Sequence, residues 1–78
     1  MELEPDPAVL LSLITTVMPY GKYKGRLICD IPESYLVWCQ TKDAWPKGKL
    51  GDLLKNVFVI KENGLDYLFT ELKAIHNS

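Results

Sequence analysis

The 78 residues, 47% of them hydrophobic and 24% charged with a formal net charge of −1, are enough for one small packed core and too few for a second. That balance excludes an intrinsically disordered chain, and no apolar run approaches the roughly 20 residues of a membrane-spanning helix. The start, MELEPDP, carries acids where a secretory leader carries Lys or Arg, so the expectation is a cytoplasmic protein, one domain over residues 1–78, with no membrane partner.

In chain order, Asp6 followed by Pro7 reads as a capped helix start, and Leu10, Leu13, Ile14 and Val17 recur at helical spacing, which predicts a first helix over about 7–16. Thr15, Thr16 and Val17 favour extended chain and Pro19 cannot continue a helix, so the chain straightens before Tyr20. A β-hairpin is then predicted, with Met18–Gly21 and Arg26–Ile28 as short strands and Lys22–Gly25 as the turn. Gly25 takes the left-handed position that closes such a turn, and Gly21 reads as a close-approach position.

Pro32 and Glu33, preceded by Asp30 and Ile31, signal a second helix over about 33–41. Its apolar content, Tyr35, Leu36, Trp38 and Cys39, reads as burial on more than one side, with Trp38 in the core. The linker DAWPKGK turns the chain, and Trp45 within it reads as a lid on the core or as an anchor for a partner. A third helix carries the strong stripe Leu50, Leu53, Leu54, Val57, Phe58 and Ile60. Asn63 and Gly64 stop it, and a last helix over about 65–75 presents Leu65, Leu68, Phe69, Leu72 and Ile75. The predicted fold is α+β: a small, mostly helical domain ordered helix, short hairpin, then three helices.

Charge is unevenly spread along this chain. Residues 1–21 hold three acids and no base, whereas residues 22–49 hold six basic residues against three acidic ones. Such asymmetry speaks of partners rather than of fold. Lys22 and Lys24 flank Tyr23, and Arg26 follows, so two phosphate-seeking ammoniums and a planar guanidinium surround one ring able to stack on an exposed base. Lys47 and Lys49 extend this positive surface if the linker folds beside the hairpin. The competing reading is that Lys belongs on any wet turn, where it discourages edge-to-edge aggregation, and that Tyr23 covers the core with only its hydroxyl in water.

Chemistry of other kinds finds little support. The lone histidine, His76, stands near the end of the chain, and the acids Asp30 and Glu33 are explained as helix-start residues, so no paired acid–base or nucleophilic group emerges and no enzyme is expected. Cys29 and Cys39, with no other cysteine, read as buried free thiols, and no metal site or cofactor is expected from so few ligands. GKLG at 48–51 lacks the spacing of a phosphate loop.

The blocks PYGKYKGRLICDIPESYLVW, WPKGKLGDLL and IKENGLDYL, in that order over about residues 17–69, resemble the small bacterial family catalogued as putative quorum-sensing-regulated virulence factor, whose molecular activity is not established. The first block is also similar to the short C-terminal domain attached to exodeoxyribonuclease X-like proteins, whose nuclease carboxylates lie in a separate domain with no counterpart in this chain. That second resemblance implies a nucleic-acid accessory role for Lys22, Tyr23, Lys24 and Arg26, with DNA or RNA as the partner, and implies no catalysis. The alternative expectation is a protein-interaction adaptor or homodimer whose contact lies on apolar residues left uncovered, Trp45 and Phe69.

Overall fold

The computed structural model describes residues 7–76, so the predicted cap at Asp6 lies outside the described residues. Four α-helices make up the fold: α1 Pro7–Thr15, α2 Glu33–Lys42, α3 Lys49–Glu62 and α4 Tyr67–His76, with a short 3-10 turn, Ile28–Asp30, between α1 and α2. The longest helix, α3, is the centre of the packing: α1, α2 and the 3-10 turn all lie against it, and α4 packs on α1. Its predicted stripe supplies Leu53, Leu54, Val57 and Ile60 to the core, where they meet Leu13 and Ile14 of α1, Ile28, Cys29 and Ile31 of the turn, Leu36 of α2 and Phe69 of α4. No helix among the described residues is long and apolar enough to cross a membrane.

The fold is all-helical among the described residues, which corrects the α+β expectation. In place of a two-stranded hairpin there is one isolated antiparallel bridge, Val17 to Leu27. Around it the Ile28 N–H donates to the Thr16 carbonyl at 2.9 Å, the Met18 N–H to Arg26 at 2.8 Å, and the Gly25 N–H to Met18 at 3.0 Å. Pairing stops there for two reasons. The Arg26 N–H closes the loop onto the Tyr23 carbonyl (3.0 Å) instead of returning to Met18, whose carbonyl takes the Gly25 N–H, and the chain from Ile28 onward turns into the 3-10 helix, whose Asp30 N–H bonds back to Leu27. Residues 20–26 form a compact loop instead, with Gly21 and Gly25 both at positive φ, 82° and 91°. The left-handed role predicted for Gly25 holds. Gly21 is required for the same conformational reason and not for close approach, since a Cβ there would meet open space.

The helix ends follow local chemistry. Pro32, in extended conformation, precedes the first helical residue of α2, whose Glu33 lies at the positive end of the helix dipole. At the end of α3 the Leu65 N–H reaches the Ile60 carbonyl (2.9 Å) and the Gly64 N–H that of Lys61 (3.0 Å), with Gly64 at φ 73°. These are the paired closing bonds of a Schellman stop.

The connection between α2 and α3 folds back onto α3. A Cβ built on Gly51 would overlap the backbone carbonyl oxygen of Pro46, so the loop and the first turn of α3 approach as closely as a missing side chain allows. Helix propensity alone predicts that Gly51→Ala stabilises α3 by about 1 kcal/mol. Overlap with a backbone atom outweighs that gain, and the expected result is a net loss of roughly 1–3 kcal/mol, read as a lower urea midpoint at unchanged slope. A raised midpoint would show that the Pro46 loop moves aside freely.

Candidate functional site

The loop 20–26 and the first two turns of α2 lie side by side and enclose an open groove of about 340 Å³ lined by Lys22, Tyr23, Ser34, Tyr35 and Trp38. Its aromatic wall is continuous. The Tyr23 ring meets Tyr35 edge-on at 5.2 Å between centroids, and Tyr35 stacks on Trp38 at 6.0 Å with 28° between planes. Tyr35 and Trp38 can do this because residues three apart share one helix face. Lys22 Nζ and Arg26 Cζ each lie 5.6 Å from the centroid of the Tyr23 ring, within cation–π range.

The predicted site residues do not all come together. Lys22, Lys24 and Arg26 are exposed and come together on the loop beside the groove, and none forms an ion pair among the described residues. Tyr23 is half-buried and packs on the core, so it anchors the loop and carries the two cations. Lys47 and Lys49 are exposed at the entry to α3, and no hydrogen bond or ring contact among the described residues joins them to the loop. Trp45 is a half-buried lid: its ring tilts against Phe58 at 5.9 Å and its Nε1–H donates to Gln40 Oε1 at 3.2 Å. Phe69 is only 4% exposed, within the core, which removes it from the set of surface anchors.

Sequence reasoning placed Trp38 in the core, and the structure corrects this: Trp38 is 50% exposed. The buried seam of α2 is Leu36 and Cys39, three residues apart. Tyr35 and Trp38 lie on the adjoining face, toward the loop. The i, i+3 aromatic pair in the segment SYLVW was the available signal for a surface platform, but an apolar-rich helix does not say by itself which of its stripes is covered.

Lysines elsewhere do structural work that holds the groove in place. Lys73 of α4 pairs with Asp30 at 2.6 Å, and Lys61 of α3 donates to the Ile31 carbonyl at 2.8 Å. Asp30 is therefore neutralised by α4, so its negative charge is largely cancelled for the basic loop that precedes it in sequence. The hydrogen bond to Asp30 raises the Lys73 pKa above its ordinary value. Burial pushes the Cys29 thiol upward, with the Asp30 carboxylate adding to the shift and Lys73 opposing it, and burial likewise raises Cys39 and Tyr35. Both cysteines are free and buried, which agrees with the reading of them as packed thiols. Among the described residues no group of acidic, histidine or cysteine side chains is placed to hold a metal ion.

A short helical domain with a cation-flanked aromatic groove is the class that this fold and site define. The chain belongs to the family described as putative quorum-sensing-regulated virulence factor, whose model matches residues 6–72. It is similar to the uncharacterized protein YpeB of Escherichia coli, strains K12 and O157:H7, at 48% identity over 64 residues, which span 82% of this chain and 89% of that protein. No solved structure matches it.

The raised acid groups fix the direction of the pH response. The unfolded chain releases thiol protons from about pH 8.5, where the folded chain still holds them on Cys29 and Cys39, so stability is fully present below that pH and declines above it. The raised Lys73 acts in the same sense, its contribution lost as pH passes through its folded value. Urea midpoints compared at pH 7 and pH 10 are expected to fall, and Cys39→Ala is expected to reduce the difference between them while lowering both.

Proposed function

We propose that this protein is a non-catalytic binding module that associates with nucleic acid through the basic loop 20–26 and the groove beside it. One observation carries this reading: Lys22, Lys24 and Arg26 sit exposed on one loop and without ion-pair partners among the described residues, and Lys22 lines a groove whose wall is aromatic. Phosphates are matched by the ammoniums and the guanidinium fork, and the aromatic wall offers a π-face. The likeness of the GKYKGR block to the accessory domain of exodeoxyribonuclease X-like proteins supports the same reading, whereas the family description speaks of regulation and carries no molecular activity. Lys47 and Lys49 contribute only a diffuse positive field in this arrangement.

A second reading, an adaptor that binds another protein or a second copy, is favoured by a different feature. Between α1 and α4 lies an apolar groove of about 270 Å³ that includes Leu10, Leu11, Leu72 and Ile75, with Leu11 and Ile75 both exposed. It predicts association that depends on protein concentration and hardly on salt, visible in sedimentation equilibrium.

Fluorescence anisotropy of a labelled oligonucleotide tests the first reading. Three phosphate contacts on a single strand imply a loss of roughly 20-fold in affinity between 50 and 200 mM salt. The variant with Lys22→Ala, Lys24→Ala and Arg26→Ala is expected to lose binding and most of that salt dependence while keeping its helical circular dichroism. Unchanged binding by the folded variant would sink the proposal.

A further inference from the structure

We propose that the groove between the loop and α2 is a seat for one unpaired nucleobase, stacked on Trp38, so that the domain selects single-stranded nucleic acid over duplex. This deepens the nucleic-acid reading and rests on it. The argument begins with which aromatic surface is open. Tyr23 is packed on the core and faces Lys22 and Arg26, and Tyr35 is flanked edge-on by Tyr23 and stacked on Trp38. Trp38 ends this row and is the half-exposed ring in it.

Indole offers the largest π-face among the side chains, and Trp38 is held in place by its stack on Tyr35, so little freedom is lost when a second ring is added. The groove volume of about 340 Å³ falls at the lower end of small-ligand sites, roughly 300–1,000 Å³, a size for one planar ring system and not for a helix. Ser34 lines the same groove and brings a hydroxyl able to donate to or accept from a base edge.

Charge selects among planar guests. A quaternary ammonium, the other common occupant of aromatic pockets, is disfavoured because Lys22 and Arg26 already lie over Tyr23 and repel a third cation. An anion with an attached ring is favoured by the same two residues, with the exposed Lys24 adding to the positive field of the loop. Duplex nucleic acid presents the phosphates but not the ring faces, since each base is covered by its neighbours and only edges line the grooves. A single strand presents both.

The test uses the full chain with Trp45→Phe, which leaves Trp38 as the only indole, and three probes: a twelve-residue thymidine oligonucleotide, an abasic strand of the same length, and a DNA hairpin duplex of matched charge. The thymidine strand is expected to quench Trp38 fluorescence and to bind at least tenfold tighter than either other probe. Trp38→Ala should weaken that strand roughly 5- to 100-fold and leave the duplex within about twofold. Trp38→Phe should restore much of the loss, which a merely misfolded variant would not allow.

Equal binding of all three probes with no effect of Trp38→Ala overturns the base seat while leaving the phosphate-binding function standing. Binding of none of them overturns both. Displacement of the Trp38 signal by a polyproline peptide, with no response to the thymidine strand, would reassign the groove to a protein ligand.

Discussion

A buried segment with no sheet to join must still satisfy its backbone, and the turn from Ile28 to Ile31 is where this fold meets that demand. Ile28, Cys29 and Ile31 are all buried, so an unpaired N–H or carbonyl among them would cost on the order of a hydrogen bond or more. The Ile28 N–H goes to Thr16, the Asp30 N–H to Leu27 and the Ile31 N–H to Ile28, while the Ile31 carbonyl receives the ammonium of Lys61. Those bonds satisfy both backbone groups of Ile28 and of Ile31, the two ends of the segment, which lies against α1 and α3. Its position then determines where the loop before it closes and at what angle α2 leaves.

The groove is a product of that placement. One end of it hangs from the turn through the Val17–Leu27 bridge, and the other is the first part of α2, which begins directly after the turn at Pro32. Lys73 reinforces the junction from α4 by holding Asp30. The pair is partly solvated, so its energetic contribution is small, as for surface ion pairs in general. Its other effect is on charge: the acid nearest the basic loop along the chain is paired with a lysine 43 positions away in sequence. Lysines in this chain thus have two separate uses, and the near-neutral total charge conceals both.

How much of this was legible depends on the range of the interactions involved. The four helices follow from periodicity and from Pro and Gly punctuation, because both act within a few residues: the Leu53, Leu54, Val57, Ile60 stripe and the Gly64 stop needed no knowledge of the rest of the chain. The loop was misjudged because Gly21, Gly25 and a β-branched approach serve a single bridge as well as a hairpin, and only the downstream 3-10 turn decides between them. Trp38 was misplaced for a related reason. A ten-residue helix lying chiefly on α3 covers one stripe, and nothing local in YLVWC tells which. The contact between Asp30 and Lys73 spans 43 positions and had no signature along the chain, whereas the cluster Lys22, Lys24 and Arg26 was visible at once because it is contiguous.

Gly51 carries a consequence for which parts of this molecule depend on which. Glycine is the weakest helix former apart from proline, and here it sits in the first turn of α3, where only the close approach of the Pro46 carbonyl explains its presence. That turn has little reason to form by itself and gains its support when the preceding loop lies down on it. The start of the central helix is therefore subordinate to its own connection: its N-terminal turn relies on the segment that Trp45 pins to Phe58, whereas the stripe from Leu53 to Ile60 is held by the core itself.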